Sequence, residues 1–383
     1  MEYKKINELT TVVTGGTPST RKNEYWDNGD IPWLQSGCCQ NCDVDSTEKY
    51  ITKEGYNNSS THMMSADTVM IALTGATAGK VGYLKFEACG NQSITGILPC
   101  ESLNQRYLFF YLLSQREKIL ADCVGGAQAH ISQSYVKNMT IPILAIKEQE
   151  QIVGELTKVS NIVSLRQEEI QQLDNLVKAR FVEMFGDPVS NSYGFPEATL
   201  PELGELGRGV SKHRPRNDSK LLGGDYPLIQ TGDVANAGLY ITSYGGTYSE
   251  LGLKQSKMWN KGTLCITIAA NIAKTAILEF DACFPDSVVG FIANEKTNNI
   301  FIHYWFSFFQ AILESQAPES AQKNINLKIL SELKVIVPKK EKQDEFVEFI
   351  EQVYKSKFDT MTFAPIYAII NLYLHTYFYQ GRR

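Results

Sequence analysis

Several short runs hold residue types that could do chemistry at their spacing. In Gly75-Ala76-Thr77-Ala78-Gly79-Lys80-Val81, two glycines precede a lysine, as they do where backbone amides cradle phosphates. The run has one residue too few between the glycines, and Val81 stands where a magnesium-binding hydroxyl is needed. Its counterpart, Ala270-Asn271-Ile272-Ala273-Lys274-Thr275, has neither glycine. It reads instead as a tight glycine turn with Lys80 facing a ligand or solvent. Transfer of a methyl group to an amine calls for an Asn/Asp-Pro-Pro-aromatic tetrad, and the sequence contains no Pro-Pro pair. Gly204-Glu205-Leu206-Gly207-Arg208-Gly209 lacks the spacing of a dinucleotide loop. Glu295-Lys296 and Asp286 do not compose the carboxylate cluster of a metal-dependent nuclease. Cys39-x-x-Cys42, beside Cys38, is the best metal candidate, but a structural zinc needs a second Cys or His pair and His62 stands alone. It reads as a polar turn with free thiols. Neither a catalytic residue nor a metal ligand is assigned.

Other residues suit a nucleic acid. Lys212-His213-Arg214-Pro215-Arg216 is the densest basic cluster, and Arg21-Lys22 is a smaller one in the matching part of the first half. Both can hold phosphates, which positions a protein on a duplex without reading its sequence; solvated loop charge is the alternative. Base edges are read by bidentate amides at adenine and by Arg or Lys at guanine. Gln35, Ser36, Thr77, Gln128, Gln230, Thr231, Asn271 and Gln322 are of the right type, with Lys80, His130, Lys274, Lys323 and Asn324 beside them. The chain as a whole is acidic, with 37 Lys and Arg against 42 Asp and Glu. Any DNA contact therefore rests on local clusters or on a basic partner.

The elements that carry these residues occur twice. Gly29-Asp30-Ile31-Pro32-Trp33-Leu34-Gln35-Ser36-Gly37 returns as Gly224-Asp225-Tyr226-Pro227-Leu228-Ile229-Gln230-Thr231-Gly232. Leu84–Cys89 returns as Leu278–Cys283, with Ser93 and Gly96 matching Ser287 and Gly290. Ala127–Ile131 matches Ala321–Ile325, Ile141-Pro142 matches Val337-Pro338, and Gln149–Val153 matches Gln343–Val347. Five blocks in one order make the chain two copies of one unit. Each copy has short β-type runs (Thr68–Leu73, Thr263–Ile268), then an aromatic helical stretch (Tyr107–Leu113, Phe301–Phe309) read as core, then a closing helix.

The first closing helix carries a heptad seam: Ile152, Leu156, Val159, Val163, Arg166, Ile170, Leu173, Val177, Arg180 and Met184, with Phe181 beside it. From about Glu148 to Phe185 it would span roughly 57 Å. Phe346, Ile350 and Val353 begin a matching seam, so the two helices can pair antiparallel. The second seam fails after Lys357, where Thr360, Ala364 and Pro365 follow, and the tail Ile366–Tyr379 is apolar without a clean heptad. The first helix is thus expected to be only partly covered. The fold expected is α/β (α+β), with two repeated globular domains separated by long antiparallel coiled-coil-like helices about a pseudo-twofold axis. Its segments are residues 1–146, 147–186, 187–340 and 341–383. Length (383 residues), 43% hydrophobic and 21% charged content fit two globular domains. Met361–Tyr379, with Pro365, Asn371 and His375, reads poorly as a membrane span. Eight cysteines and the polar N-terminus point to the cytoplasm.

The duplicated Gly-Asp-x-Pro-x-Ile/Leu-Gln-Ser/Thr-Gly block, the Gly75–Gly82 turn and the Ala-Gln-x-x-Ile block resemble a target-recognition domain. Joined to the long helix entered through Lys147–Ile152 and ended at Val177–Phe185, they resemble the specificity subunit of type I restriction-modification systems. The resemblance implies a non-catalytic DNA-binding subunit in which each domain reads half of a bipartite duplex target. The helices would set the gap and dock methyltransferase subunits, two in number. Those partners would use S-adenosylmethionine to methylate adenine, and a restriction-motor subunit would use ATP and Mg2+. The alternatives are a silent or phase-variable cassette with impaired assembly, suggested by the atypical tail, and a stand-alone nuclease or methyltransferase.

Overall fold

Short runs of Val, Ile, Met and Leu bounded by glycine turns become strands buried on both faces, as Val69–Ala72, Val81–Leu84 and Ile94–Ile97 show. The computed structural model describes residues 2–123, 130–269, 271–316, 325–361, 370, 372–374 and 377. These fall into two units, one built from the chain up to Gln167 with the described tail residues, the other from Glu168–Met361.

In the first unit the strands are β1 (Glu2–Lys5), β2 (Val12–Thr14), β3 (Ile31–Leu34), β4 (Cys42–Val44), β5 (Tyr50–Ile51), β6 (Val69–Ala72), β7 (Val81–Leu84), β8 (Cys89–Gly90), β9 (Ile94–Ile97) and β10 (Thr140–Ile143). The helices are α1 (Ile6–Leu9), α2 (Lys53–Asn57), α3 (Gln105–Ser114), α4 (Arg116–Ala121), α5 (Gln133–Asn138) and α6 (Ile146–Phe185), the last passing into the second unit. A five-stranded sheet runs β2-β9-β6-β7-β4, a three-stranded one β5-β3-β8, and β1 pairs with β10. Gly75 and Gly79, at φ +71° and +73°, turn the chain between β6 and β7 in a conformation that favours glycine.

The second unit repeats this plan. Its strands are β11 (Glu197–Thr199), β12 (Gly204–Arg208), β13 (Leu222–Leu228), β14 (Tyr240–Ile241), β15 (Gly246–Tyr248), β16 (Met258–Trp259), β17 (Leu264–Thr267), β18 (Thr275–Leu278), β19 (Ala282–Cys283), β20 (Val288–Ala293) and β21 (Lys334–Ile336). Helices α7 (Leu200–Leu203), α8 (Thr231–Asn236), α9 (Glu250–Lys254), α10 (Asn299–Gln316), α11 (Leu327–Glu332) and α12 (Lys340–Met361) lie between or after them. The sheet orders β12-β20-β17-β18-β14 and β15-β13-β19-β16, with β11 on β21, place matching strands in matching positions. The sequence duplication is therefore a duplication of topology.

The aromatic helices are core in both units: α3 is buried from Tyr107 to Leu113, and Phe301, Trp305 and Phe306 of α10 are fully buried. Each closing helix is pinned at its start by one buried glutamine. Gln149 accepts from the Asn104 N–H (2.8 Å) and donates to the Leu144 carbonyl (2.9 Å). Gln343 accepts from the Thr297 hydroxyl (2.9 Å) and donates to the carbonyls of Pro338 (2.9 Å) and Lys296 (3.1 Å).

Along α6, Ile152, Leu156, Val163, Val177 and Phe181 are buried, while Val159, Ile170 and Leu173 are half-buried. Within the second unit α12 runs antiparallel to α6. Phe181 meets Phe346 edge-on at 5.3 Å, Arg180 pairs with Glu345 (2.9 Å), and Lys357 pairs with Asp174. Ile350 and Val353 bury in the same core. The described tail residues supply cover that the seam pattern did not foresee. Ile370 and Leu374, one helical turn apart, bury in the first unit's core with Ile152 and Leu156, and the Tyr373 hydroxyl donates to Glu155. An i, i+4 pair needs no continuing heptad to fill one turn of a seam.

Candidate nucleic-acid interface

Backbone hydrogen bonds stitch four loops into one edge of the first head. The Asn91 N–H donates to Leu34 (2.9 Å), Leu73 to Ser93 (2.8 Å) and Ile131 to Leu73 (2.9 Å), while His130 bridges Thr74. Gln35 and His130 are exposed there, Ser36 opens a 3-10 turn, and the Thr77 hydroxyl donates to the Thr74 carbonyl (3.3 Å). The Lys80 ammonium donates to the Gln40 side chain (2.6 Å), so it faces the loop that follows Gln35 rather than a phosphate cradle. A cleft of 790 Å³ opens beside them, lined by Asn23, Trp26, Trp33, Gln35, Asn91 and Gln92 among others. Trp26 and Trp33 meet edge to face at 5.0 Å, and their indole N–H groups donate to Ser19 (3.1 Å) and Gly16 (3.0 Å). The tryptophans are thereby a fixed apolar wall, while the amides keep donors and acceptors for a ligand. Arg21 and Lys22 are exposed near its rim; hydrogen bonds to Tyr25 and then Glu24 raise the Lys22 ammonium above its ordinary value.

The second head is stitched alike: Ile229 donates to Cys283 (2.9 Å), Ile268 to Ser287 (3.0 Å) and Ile325 to Ile268 (3.0 Å). Exposed Gln230 and half-buried Thr231 begin α8, where the Gln230 N–H donates to Asp233 (2.7 Å), and Asn271 is exposed in the neighbouring turn. Lys212, Arg214 and Arg216 are exposed, and the Lys212 and His213 N–H groups converge on the Gln255 side chain (2.7 and 3.0 Å). Arg216 and Arg214 both reach the Asp286 carboxylate (2.5 and 3.6 Å), which brings the basic cluster to the loop after β19.

Lys274 is placed elsewhere. Its turn lacks both glycines, Ala273 takes φ +56°, and the Lys274 N–H is tied to the Thr267 hydroxyl (3.0 Å). The side chain lines a 250 Å³ pocket with Asp174, His303, Tyr304, Tyr354 and Lys357. Gln128, Gln322, Lys323 and Asn324 lie outside the described residues.

Sequence reasoning passed over Trp26, Asn23, Asn91 and Gln92. The signal for the last two was available: Asn91-Gln92-Ser93 aligns with Pro285-Asp286-Ser287 within the duplicated block. The eight cysteines are unbonded. The Cys39 thiol is pushed up by its hydrogen bond with Cys38 and then by burial, while the same bond pulls the Cys38 thiol down. Among the described residues no group of three or more His, Cys, Asp or Glu is arranged to hold a metal, and no helix is long and apolar enough to cross a membrane.

Two similar heads, each gathering amides, hydroxyls and basic groups at one loop edge, agree with what the sequence matches. Residues 1–175 and 197–366 fit the model of the type I restriction modification DNA specificity domain. The chain belongs to that family. It is 32% identical over 169 residues to the specificity subunit of an Escherichia coli type I restriction enzyme, covering 43% of this chain and 42% of that one. The EcoprrI specificity subunit of Escherichia coli is 24% identical over 94% of this chain and 88% of its own length. The first of these alignments thus spans under half of the relative. Among solved structures, a type I restriction-modification S subunit from M. genitalium matches with a TM-score of 0.54 at 16% identity, covering 98% of this chain and 94% of that one. That match speaks for the fold of this specificity family.

Proposed function

We propose that the chain is the DNA-specificity subunit of a type I restriction-modification complex, each head reading one half of a bipartite duplex target. The observation that carries the reading is the repeated loop edge, where two copies of one topology gather different polar side chains at equivalent places. A conserved frame with interchangeable loop chemistry suits two half-sites of unrelated sequence. In the first head the amides of Gln35, Asn91 and Gln92 suit adenine edges, while Arg21 and Lys22 suit phosphates. In this reading the chain is non-catalytic. Methyltransferase subunits, two per chain, bring S-adenosylmethionine, and a restriction-motor subunit brings ATP and Mg2+ chemistry. The acidic balance of the chain then leaves part of the phosphate-binding charge to those partners. The packing of Ile370 and Leu374 into the first core gives the described tail residues a structural place in the folded chain.

The test is a genome-wide map of N6-methyladenine in the source strain, with and without this gene. Loss of one bipartite motif with a fixed gap is expected on deletion; an unchanged map would refute the reading. Exchange of residues 1–146 for those of a relative is expected to change one half-site and spare the other. Magnesium-dependent cleavage or methyl transfer by the purified chain alone would make it an enzyme instead.

A further inference from the structure

Gln92 and Asp286 hold equivalent places in the two heads, and only the second head makes that place a hub. In the first head the Thr17 hydroxyl donates to the Gln92 side-chain oxygen (2.6 Å). In the second head the hub is Asp286, and three arginines converge on it. Arg208 donates its Nε–H to the Asp286 backbone carbonyl. Arg214 spends its Nη1 hydrogens on the carbonyls of Ser211 (2.6 Å) and His213 (2.8 Å) and turns Nη2 toward the carboxylate at 3.6 Å. Arg216 gives a single N–H, from Nη2, to the Asp286 Oδ1 at 2.5 Å. The rest of its guanidinium makes no hydrogen bond among the described residues, and the side chain is 46% exposed.

We propose that Arg216, oriented by Asp286, reads a guanine in the half-site of the second head. A guanidinium has five N–H donors in a rigid plane, so one bond to a carboxylate leaves a complete two-donor edge free. That edge matches the O6 and N7 acceptors of guanine. The carboxylate also decides against a phosphate contact. A phosphate would bring a second anion next to Asp286 and compete with it for the same cation, whereas a base edge is neutral. Fixing the fork in advance lowers the ordering cost of reading. Arg214, with its donors turned inward, braces the loop, and Asp286 is a positioning residue.

The inference rests on the two-headed DNA reading above, and one experiment separates the two. The full chain, assembled with the methyltransferase subunits of its host, is used to select from duplexes carrying two randomised half-sites. Failure of the wild type to select a bipartite motif would overturn the reading itself. Given such a motif, Arg216→Ala is expected to erase the preference at one G·C position in one half by roughly ten- to a hundredfold, with the other half unchanged. Arg216→Lys, which keeps the charge and suits a complex that tolerates no alanine, is expected to lose most of that preference. Asp286→Asn is expected to weaken the same position by a smaller factor. A motif without a G·C pair sensitive to these changes would overturn the proposal. So would an intact motif whose binding falls equally on all duplexes, with a salt dependence shallower by about one counterion, since that is the mark of a phosphate contact.

Discussion

Replacing Gln343 by leucine tests how the closing helix of the second unit is held. The side chain is fully buried and makes three hydrogen bonds, to the Thr297 hydroxyl and to the carbonyls of Lys296 and Pro338, all at 3.1 Å or less. Leucine fills much the same space and offers no polar atom, so the buried Pro338 carbonyl and Thr297 hydroxyl, and the half-buried Lys296 carbonyl, lose this partner. At about 1 kcal/mol net for each hydrogen bond, the loss comes to about 3 kcal/mol. Gln149, the twin in the first unit, has two short bonds and a third to Ser102 of 3.4 Å. Gln149→Leu is therefore expected to cost less, about 2 kcal/mol. Because the two glutamines serve separate units, the double variant should show the sum. Chemical denaturation of the three variants, followed by circular dichroism, measures these differences. A loss below about 1 kcal/mol for Gln343→Leu, or a larger loss at Gln149, would refute the pinning argument.

Three other perturbations follow from the same geometry. Leu374→Ala removes a buried side chain that packs with Ile152 and Leu156, and is expected to lower stability by about 2–5 kcal/mol in thermal unfolding. Burial, with the Lys357 charge adding to it, lowers the His303 imidazole from 6.5 to about 4. The folded state then holds it neutral while the unfolded chain takes a proton, so stability is expected to fall as pH drops from 6.5 toward 4. His303→Gln should flatten that slope in acid titrations followed by fluorescence; an unchanged slope would assign the acid sensitivity to other groups. Gln35→Ala and Gln92→Ala are expected to relax base preference in one half-site only, read as altered methylation motifs. A change in both halves would contradict independent heads.

Much of this architecture was legible because it is written in local periodicity and in duplication. The Gly29–Gly37 and Gly224–Gly232 blocks mark β3 and β13, and the heptad from Ile152 marks α6 almost to its ends. Tyr107–Leu113 and Phe301–Phe309 read as core because an all-round apolar helix has no solvent face. Residue type also marked Gln35 and Gln230 as candidates for a base edge and the 212–216 cluster as a candidate for phosphates, since few side chains suit either task. The rest depended on contacts between distant parts of the chain. Arg216 and Asp286 stand 70 residues apart, and only the stitching of loops through Ser287 and Cys283 brings them together. Lys80 and Lys274 occupy equivalent places in the repeat, yet one reaches Gln40 and the other lines a pocket with His303, because glycine frees one turn and its loss reshapes the other. Ile370 and Leu374 show the same limit from the opposite side: two apolar residues carry no address until a neighbouring helix face, in the folded unit, offers them a place to leave water.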